Sequence, residues 1–147
     1  MRPAEVTNDA VIDFRMVRRA YLDRVKSGDV SLREACDAER DLVRAGRHYG
    51  SYRRSPCPIC SQDTLRNVVY HFGPRLPRSG RCMTSSDELR AYGSKSDRYV
   101  AYTVEVCVSC EWHHLLVATP CGRSRLRRSK QVRAQKRAPA TRVRRRA

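Results

Sequence analysis

The amino-acid sequence predicts an α+β fold in which N-terminal helices pack on a small antiparallel sheet and a disordered basic tail follows. Three observations lead to this prediction: helical periodicity in the first third of the chain, two Cys-x-x-Cys units beside β-rich segments, and a run of cations after residue 122. The chain has 147 residues, which suffices for one compact domain. We divide it into a flexible N-terminus (1–8), a helical segment (9–50), a β segment of the same domain (55–120) and a disordered tail (121–147).

Helices are predicted in the first fifty residues from the spacing of apolar side chains. Over residues 8–27 these recur every three or four positions, the spacing that places them on one face of a helix. Ser31 followed by Glu34 is a capping box, in which the hydroxyl and the carboxylate each accept a backbone N–H at the start of a helix. Asp37 is a candidate cap for a further helix that ends between residues 46 and 50. Together these patterns predict two or three helices.

Strands are predicted where Val, Tyr and Phe are frequent and helix formers are scarce. Two such segments are "TLRNVVYHF" (64–72) and "RYVAYTVEV" (98–106), and "HHLLVAT" (113–119) is a third. The segment 73–97 between the first two strands is rich in Pro, Gly and Ser, so we expect an exposed loop there that holds one short helix at 86–92. The β segment is therefore predicted to have three or four strands.

Paired cysteines occur twice, in "CPIC" (57–60) and in "CVSC" (107–110). Two thiolates three positions apart turn their sulfurs toward one point, and two such turns supply the tetrahedral four-sulfur shell that Zn²⁺ favours. The expected cofactor is therefore a structural Zn²⁺ ion, and the β segment is zinc-ribbon-like. The candidate metal ligands are Cys57, Cys60, Cys107 and Cys110.

Two other uses of these cysteines stay open at this point. A Cys-x-x-Cys unit is also typical of a thioredoxin-type redox pair, but that motif normally opens a helix after a strand, and neither unit has this context. Iron–sulfur ligation by the same four cysteines also fits the spacing. The odd total of seven cysteines argues against a fully paired disulfide framework. No signal peptide is recognisable at the N-terminus, so we expect a cytoplasmic protein.

With four cysteines in the shell, the histidines that follow the second unit are surplus. Successive residues on a strand point to opposite faces, so His113 and His114 do not both reach one metal ion. One of them is expected to donate a hydrogen bond to a cysteine sulfur and the other to be exposed; the alternative is that both are surface or packing residues. Trp112 is expected to pack against the ribbon or the helices. Cys36 is expected to be a small buried apolar residue, Cys82 to lie in the loop and Cys121 to lie just before the tail. His48 and His71 have no companion residues in sequence that would make them catalytic.

Several of these segments together resemble a family of small actinobacterial proteins of unknown function. The resemblance is carried by "CDA" (36–38), "LVRAG" (42–46), the first cysteine unit, and "VEVCVSCEWHHL" (104–115), where members share the pattern CPxC…VEVCxxCxWNHL after a helical segment. It covers about residues 9–118 and implies the fold, the metal site and a cytoplasmic setting, but no established activity. This chain has His113 where the pattern often has Asn, which argues against a metal role for that residue. The basic tail is not part of the shared pattern.

The charge of the chain is concentrated in the tail. Of the formal charge of +16, twelve cations lie after residue 122, where there is no acidic residue, which leaves +4 on residues 1–122. The tail has too few apolar residues to offset the cost of ordering its backbone. We predict that its cations contact the phosphates of a nucleic acid. They are Arg123, Arg125, Arg127, Arg128, Lys130, Arg133, Lys136, Arg137, Arg142, Arg144, Arg145 and Arg146.

Three classes of function are compatible with the sequence. The first is a non-enzymatic zinc-ribbon protein that binds nucleic acid or components of the ribosome or RNA polymerase. The second is a protein–protein adaptor or regulator with an incidental basic tail, since the rest of the chain is nearly neutral. The third is an enzyme, but four cysteines close the metal shell, and Glu111 is the only acid beside it. No stretch approaches the ~18 consecutive apolar residues of a membrane span, and no small-molecule substrate is indicated.

Overall fold

The structure, a computed structural model, describes residues 10–94 and 97–122 of the chain. It contains helices and an open antiparallel sheet of six strands, which confirms the predicted α+β fold. The predicted flexible N-terminus and basic tail lie outside the described residues, apart from positions 121 and 122. In chain order the elements are β1 (Ile12–Asp13), α1 (Arg15–Ser27), α2 (Leu32–Ala35), α3 (Arg40–Tyr49), β2 (Ser51–Pro56), β3 (Thr64–Phe72), β4 (Arg81–Cys82), α4 (Ser86–Ser94), β5 (Tyr99–Val106) and β6 (His113–Cys121).

The sheet brings the two cysteine units to the same end. Its strand order is β1-β6-β5-β3-β2, with the short β4 also paired to β3. Strands β3 and β5 are central and antiparallel, so the start of β3 at Arg66 lies opposite the end of β5 at Val106. The turn from β2 into β3 and the turn from β5 into β6 therefore lie side by side. Those two turns contain all four candidate metal ligands.

Helices cover both faces of the sheet. On one face, α3 packs its small residues against Val68 and Val106 of the central strands. Glu105 and His71 belong to the opposite face, because side chains alternate along a strand, and they are contacted by α1 and α4 respectively. Within residues 10–94 and 97–122, no helix combines the length and the apolar character needed to cross a membrane.

Helix α3 lies very close to the sheet at a glycine. A Cβ atom added to Gly46 would stand 2.5 Å from Cγ1 of Val106, whose side chain is fully buried. This distance is too short for any other residue without displacement of the helix or the strand. The absence of a side chain at this position therefore sets the separation between α3 and β5.

The first helix is shorter than the sequence predicts. We expected a helix over 8–27, but α1 begins at Arg15, and Ile12–Asp13 forms β1 at the edge of the sheet beside β6. The Phe14 N–H donates to the Leu116 carbonyl at 2.8 Å and continues this pairing to the start of the helix. Pairing with β6 satisfies backbone groups that a helix would otherwise use, and the β-branched residues before α1 suit a strand. Tertiary contact thus overrides the helical periodicity here.

The prediction of three or four strands was also too low. All three predicted strands are present, and the last one extends to Cys121. The strands that the sequence analysis missed are β1, β2 and β4. Strand β2 reads "SYRRSP" and is mostly exposed at the sheet edge, so it lacks the apolar alternation of a half-buried strand. The other two have two residues each, which is too short to produce a pattern.

The predicted helix ends are correct in part. The Ser31 hydroxyl accepts the Glu34 N–H at 3.1 Å, as the capping box predicts. The prediction that Asp37 caps the next helix was wrong, because the N-cap residue of α3 is Glu39 and its side chain makes no capping hydrogen bond.

Helix α3 ends within the predicted interval, and the predicted short helix at 86–92 is present as α4, two residues longer. The Ser85 hydroxyl caps α4 by accepting the Glu88 N–H at 3.2 Å.

We predict that Gly46→Ala destabilises the protein, although the same change in a helix interior normally stabilises by about 0.5–1 kcal/mol. The new Cβ would collide with the buried Val106, and overpacking of this kind costs about 1–3 kcal/mol. Urea unfolding followed by the fluorescence of Trp112 measures the effect. Arg44→Ala, at an exposed position of the same helix, is the control and should change stability by less than about 0.5 kcal/mol. Equal or greater stability of the Gly46 variant would contradict the close packing of α3.

Candidate metal centre

The four cysteines converge at one end of the sheet. We refer to residues 57–60 as the first knuckle and to residues 107–110 as the second knuckle. The Sγ atoms of Cys57 and Cys110 are 3.5 Å apart, and those of Cys60 and Cys107 are 3.7 Å apart. All four sulfurs lie within 4.8 Å of one another. The structure therefore brings together the four residues that the sequence predicts as metal ligands.

The two knuckles have the same backbone conformation. In the first, the Ser61 N–H donates to the Cys57 carbonyl, and in the second the Glu111 N–H donates to the Cys107 carbonyl, both at 3.1 Å. Ser61 and Glu111 are both left-handed, with φ of 54° and 65°. Such angles are uncommon for residues other than glycine. Each turn thus reverses immediately after its second cysteine, so that both sulfurs of a knuckle face inward.

Further hydrogen bonds close each knuckle and join the two. The Cys57 N–H donates to the Asp63 carbonyl and the Cys107 N–H donates to the Trp112 carbonyl, both at 2.8 Å. Between the knuckles, the Ser109 hydroxyl donates to the Asp63 carboxylate at 3.1 Å. The relative position of the two cysteine pairs is therefore fixed by backbone and side-chain bonds as well as by the sheet.

The dimensions of the sulfur cluster fit a tetrahedral metal ion. Metal–sulfur bonds of about 2.3 Å place the sulfurs of a tetrahedral site about 3.8 Å apart, close to the two distances in the structure. A disulfide needs about 2.05 Å between sulfurs, so none of the four cysteines is disulfide-bonded. Two of them are buried and two are half-buried. The residues present could thus hold a metal ion in a shell made only of thiolates.

The surroundings of the four cysteines raise the pKa of some thiols and lower that of another. Burial raises the pKa of Cys57 to about 11 and also raises the pKa of Cys110. Burial acts in the same direction on Cys60, but hydrogen bonds from the Gln62 N–H and from the other three thiols outweigh it and lower the pKa of Cys60. A metal ion would have to displace the protons of the buried thiols, because thiolates are the ligating form.

An apolar cluster encloses the buried side of the centre. Cys57 and Cys107 pack in one cluster with Trp112 and Leu65, both fully buried, and with Leu22 of α1. The ring of Tyr21 lies 5.9 Å from the Trp112 ring. Trp112 was expected to pack against the ribbon or the helices, and in the structure it packs against both. This packing excludes water from the inner pair of sulfurs.

A buried carboxylate lies beside this cluster and was not recognised from the sequence. Glu105 is fully buried on β5. It accepts hydrogen bonds from Arg18 of α1, from Arg53 of β2 at 2.7 Å, and from the indole N–H of Trp112 at 3.0 Å. This one side chain joins a helix, the edge strand and the residue that closes the second knuckle. An acid flanked by valines in a predicted strand was the available signal, since a buried charge requires a partner.

The two histidines after the second knuckle have packing positions. His114 is half-buried, its ring lies 6.0 Å from the Trp112 ring, and burial lowers its pKa. His113 Nδ1 lies 3.8 Å from a carboxylate oxygen of Asp37. No hydrogen bond from either ring to a cysteine sulfur occurs among the described residues. Of the two alternatives, that of packing or surface residues therefore fits the structure.

A fifth cysteine lies beside the centre. Cys36 is half-buried and packs against the same apolar cluster as Cys110, and burial raises the pKa of its thiol. Its sulfur is not one of the four that converge, so the expectation of an apolar packing role holds in part. Cys82 and Cys121 pack in other clusters of the core. The twelve predicted phosphate-contacting cations of the tail lie outside the described residues.

Comparisons with known proteins agree with the resemblance that the sequence motifs carry. The model of a family described as being of unknown function, DUF5318, matches residues 6–136. This range extends beyond the expected 9–118 and includes the first part of the basic tail. Uncharacterized proteins of Mycobacterium tuberculosis and Mycobacterium bovis are each 32% identical over 114 residues, which cover 78% of this chain and 83% of the relative. No solved structure matches the chain.

We predict that Glu105→Gln strongly destabilises the fold. The amide would turn an N–H group toward Arg18 or Arg53 and leave two partly exposed cations, 23% and 30% accessible, without their counter-charge. Breaking a fully buried ion pair costs about 3–5 kcal/mol, and the partial solvation of the two arginines places the expected loss near the lower end of that range. Asp41→Asn breaks an ion pair whose two side chains are exposed, and it should cost less than about 1 kcal/mol. Chemical unfolding of both variants tests the difference. Equal stabilities for the two would show that the Glu105 network contributes no more than a surface pair.

Proposed function

The chain belongs to the DUF5318 family of unknown function, and we propose that it is a non-enzymatic zinc protein that associates with nucleic acid or with a nucleoprotein complex such as the ribosome or RNA polymerase. The observation that carries the proposal is the convergence of four cysteine sulfurs within 4.8 Å at the end of the sheet. The zinc ion has a structural role. The association is made by basic parts of the chain.

Zinc is the metal that this ligand set favours, and the ligand set favours a structural role. Four thiolates in a tetrahedral shell are typical of structural zinc, whereas catalytic zinc keeps one position open for water or substrate. The ion would join the β2–β3 hairpin to the β5–β6 hairpin, so its binding free energy would add to the stability of the sheet. A cytoplasmic setting suits this role, because reduced thiols persist there.

Nucleic acid is the partner that the charge favours. Twelve cations without an acidic residue follow position 122, and phosphate contacts by such cations release bound counterions. Contacts of this kind position a protein on nucleic acid without reading its sequence. The tail therefore supplies affinity, and any selectivity has to come from another part of the chain.

An adaptor that binds another protein is the second candidate. It is favoured by a set of exposed apolar side chains where β1 meets α1, of which Met16 is 76% and Val11 61% exposed. Contiguous exposed apolar residues are typical of protein contacts. Affinity purification with and without nuclease separates the two functions. A protein partner that survives nuclease and removal of the tail favours the adaptor, whereas partners that are lost with nuclease favour the nucleic-acid function.

We predict that Cys110→Ser lowers both the zinc content and the melting temperature, because a hydroxyl is a poor replacement for a thiolate in this shell. Cys36→Ser is the matched control, since it changes a thiol that lies beside the cluster but outside the four converging sulfurs. Zinc is measured by elemental analysis, which also quantifies iron. The control should retain one equivalent of zinc per chain, and its melting temperature should lie closer to that of the wild type than that of the Cys110 variant.

Two results would contradict this assignment. Full zinc content and an unchanged melting temperature in the Cys110 variant would remove that residue from the shell. Iron in place of zinc, with the visible absorption of an iron–thiolate centre, would replace the proposed metal.

We predict that a chain ending at Gly122 binds nucleic acid more weakly and with less dependence on salt than the full chain. If about six of the tail cations contact phosphates of a single strand, the slope of log K against log salt should change by about 4 when the tail is removed. Fluorescence anisotropy with a labelled oligonucleotide over a range of salt measures the slope, and zinc content checks that the shortened chain is folded. Equal affinity and equal slope for the two chains would exclude the tail from binding.

A further inference from the structure

We propose that the folded part of the protein has its own binding surface for single-stranded nucleic acid, formed by the end of α3 and the edge strand β2. We call it the α3–β2 surface, and its residues are Arg47, His48, Tyr49, Tyr52 and Arg54. The inference rests on the proposed association with nucleic acid and adds a surface that contacts bases, whereas the tail contacts phosphates.

The charge of this surface suits a polyanion. From residue 42 to residue 62 the sequence contains four arginines and no acidic residue. Arg53 turns inward to Glu105, and Arg44 is paired with Asp41. Arg47 and Arg54 are exposed and form no ion pair with any carboxylate in the described ranges 10–94 and 97–122. Their charges are therefore free to contact phosphates.

The aromatic side chains of this surface are unusual within the protein. All seven tyrosines of the chain are among the described residues, and only Tyr49 and Tyr52 are exposed, by 54% and 71%. Both lie within the stretch that lacks acidic residues. Exposed aromatic rings among arginines are the combination that binds single strands, because every base has a π-face that stacks on an aromatic ring.

The ring of Tyr52 makes a cation–π contact with an arginine of the neighbouring strand. The guanidinium carbon of Arg66 lies 4.7 Å from the centre of the Tyr52 ring. Arg66 is opposite Tyr52 in the β2–β3 register, and its side chain is only 11% exposed. The arginine covers one side of the ring from within the sheet, and the high exposure of Tyr52 leaves the rest of the ring open. A base that stacks there would meet a ring that is already oriented, so less entropy is lost on binding.

The backbone beside Tyr52 is also open. Strand β2 is the last strand of the sheet order, so one of its edges has no neighbouring strand among the described residues. The register is irregular between Tyr52 and Pro56, which disfavours regular addition of another strand at this edge. Backbone N–H and C=O groups there can hydrogen-bond the edges of unpaired bases. A duplex keeps its bases stacked inside, so the tyrosines favour single strands over duplexes.

The test compares Tyr52→Ala, Tyr52→Phe and Met16→Ala in the zinc-loaded full chain. The probes are labelled oligo(dT) and oligo(U) of 15 nucleotides, a duplex of 15 base pairs, and a 15-residue polyglutamate peptide. Fluorescence anisotropy gives each affinity, and zinc content and melting temperature are compared with the wild type. Met16 is the control because it is exposed at a different place on the surface.

Loss of the ring should weaken single-strand binding about tenfold, because the base that stacks on this aromatic side chain loses its partner. Phenylalanine should retain the affinity, because it keeps the ring. The duplex affinity should stay the same in every variant, since duplex binding depends on charge. Weaker binding of both oligo(dT) and oligo(U) assigns the surface to single strands in general, and an effect on one alone assigns it to DNA or to RNA.

Three outcomes would overturn the inference. If Tyr52→Ala leaves single-strand affinity unchanged while the full chain still binds, the tail alone makes the association and the proposed function stands without the α3–β2 surface. If polyglutamate binds and loses the same affinity in Tyr52→Ala, the surface takes an acidic protein segment. If the wild-type chain binds none of the nucleic acids, the proposed nucleic-acid function fails together with the inference.

Discussion

The pairing of β3 with β5 is the constraint on which the rest of the structure depends. This register places Arg66 opposite Val106 and brings the first knuckle beside the second. A shift of one residue would displace the sulfurs by about 3.3 Å and turn every side chain of the strand to the other face. The Glu105 carboxylate would then no longer face Arg18. Val106 would no longer pack against α3 at Gly46. The metal centre, the buried carboxylate and both helical layers thus require the same register.

The segments that carry the family resemblance meet around this centre. The thiol of Cys36 is beside Cys110, the Ala38 N–H donates to the Glu111 carbonyl at 3.1 Å, and Glu105 and Trp112 are joined by a hydrogen bond. Sequence reasoning recognised these motifs as a set without their contacts. The structure gives the reason: the cysteine segments form the two knuckles, "CDA" contacts the second knuckle, and "LVRAG" packs against Val106, the residue directly before that knuckle.

The sequence predicted the parts of the fold in which a local pattern carries the information. The spacing of the cysteines identified the four candidate metal ligands. The frequency of β-branched and aromatic residues identified the three long strands. Strand β1 and the true start of α1 could not be predicted, because they depend on pairing with β6, more than one hundred residues away. Strand β2 is a polar edge with no alternation. The valines on both sides of Glu105 indicate that this acid needs a partner, but the local sequence does not identify the partner. Its partners, Arg18 and Arg53, come from two other elements of the fold.

The order of the elements along the chain has a consequence for folding during synthesis. Cys60 and Cys107 are 47 positions apart, and β1 pairs with β6, so the first strand needs the last described strand as its neighbour. The helical segment and the first knuckle are synthesised before β5 and β6 exist. Their apolar side chains and two thiols therefore stay accessible until the last third of the sheet is made. Long-range pairing of this kind slows folding, and the nascent chain in that interval is the form most exposed to aggregation and thiol oxidation.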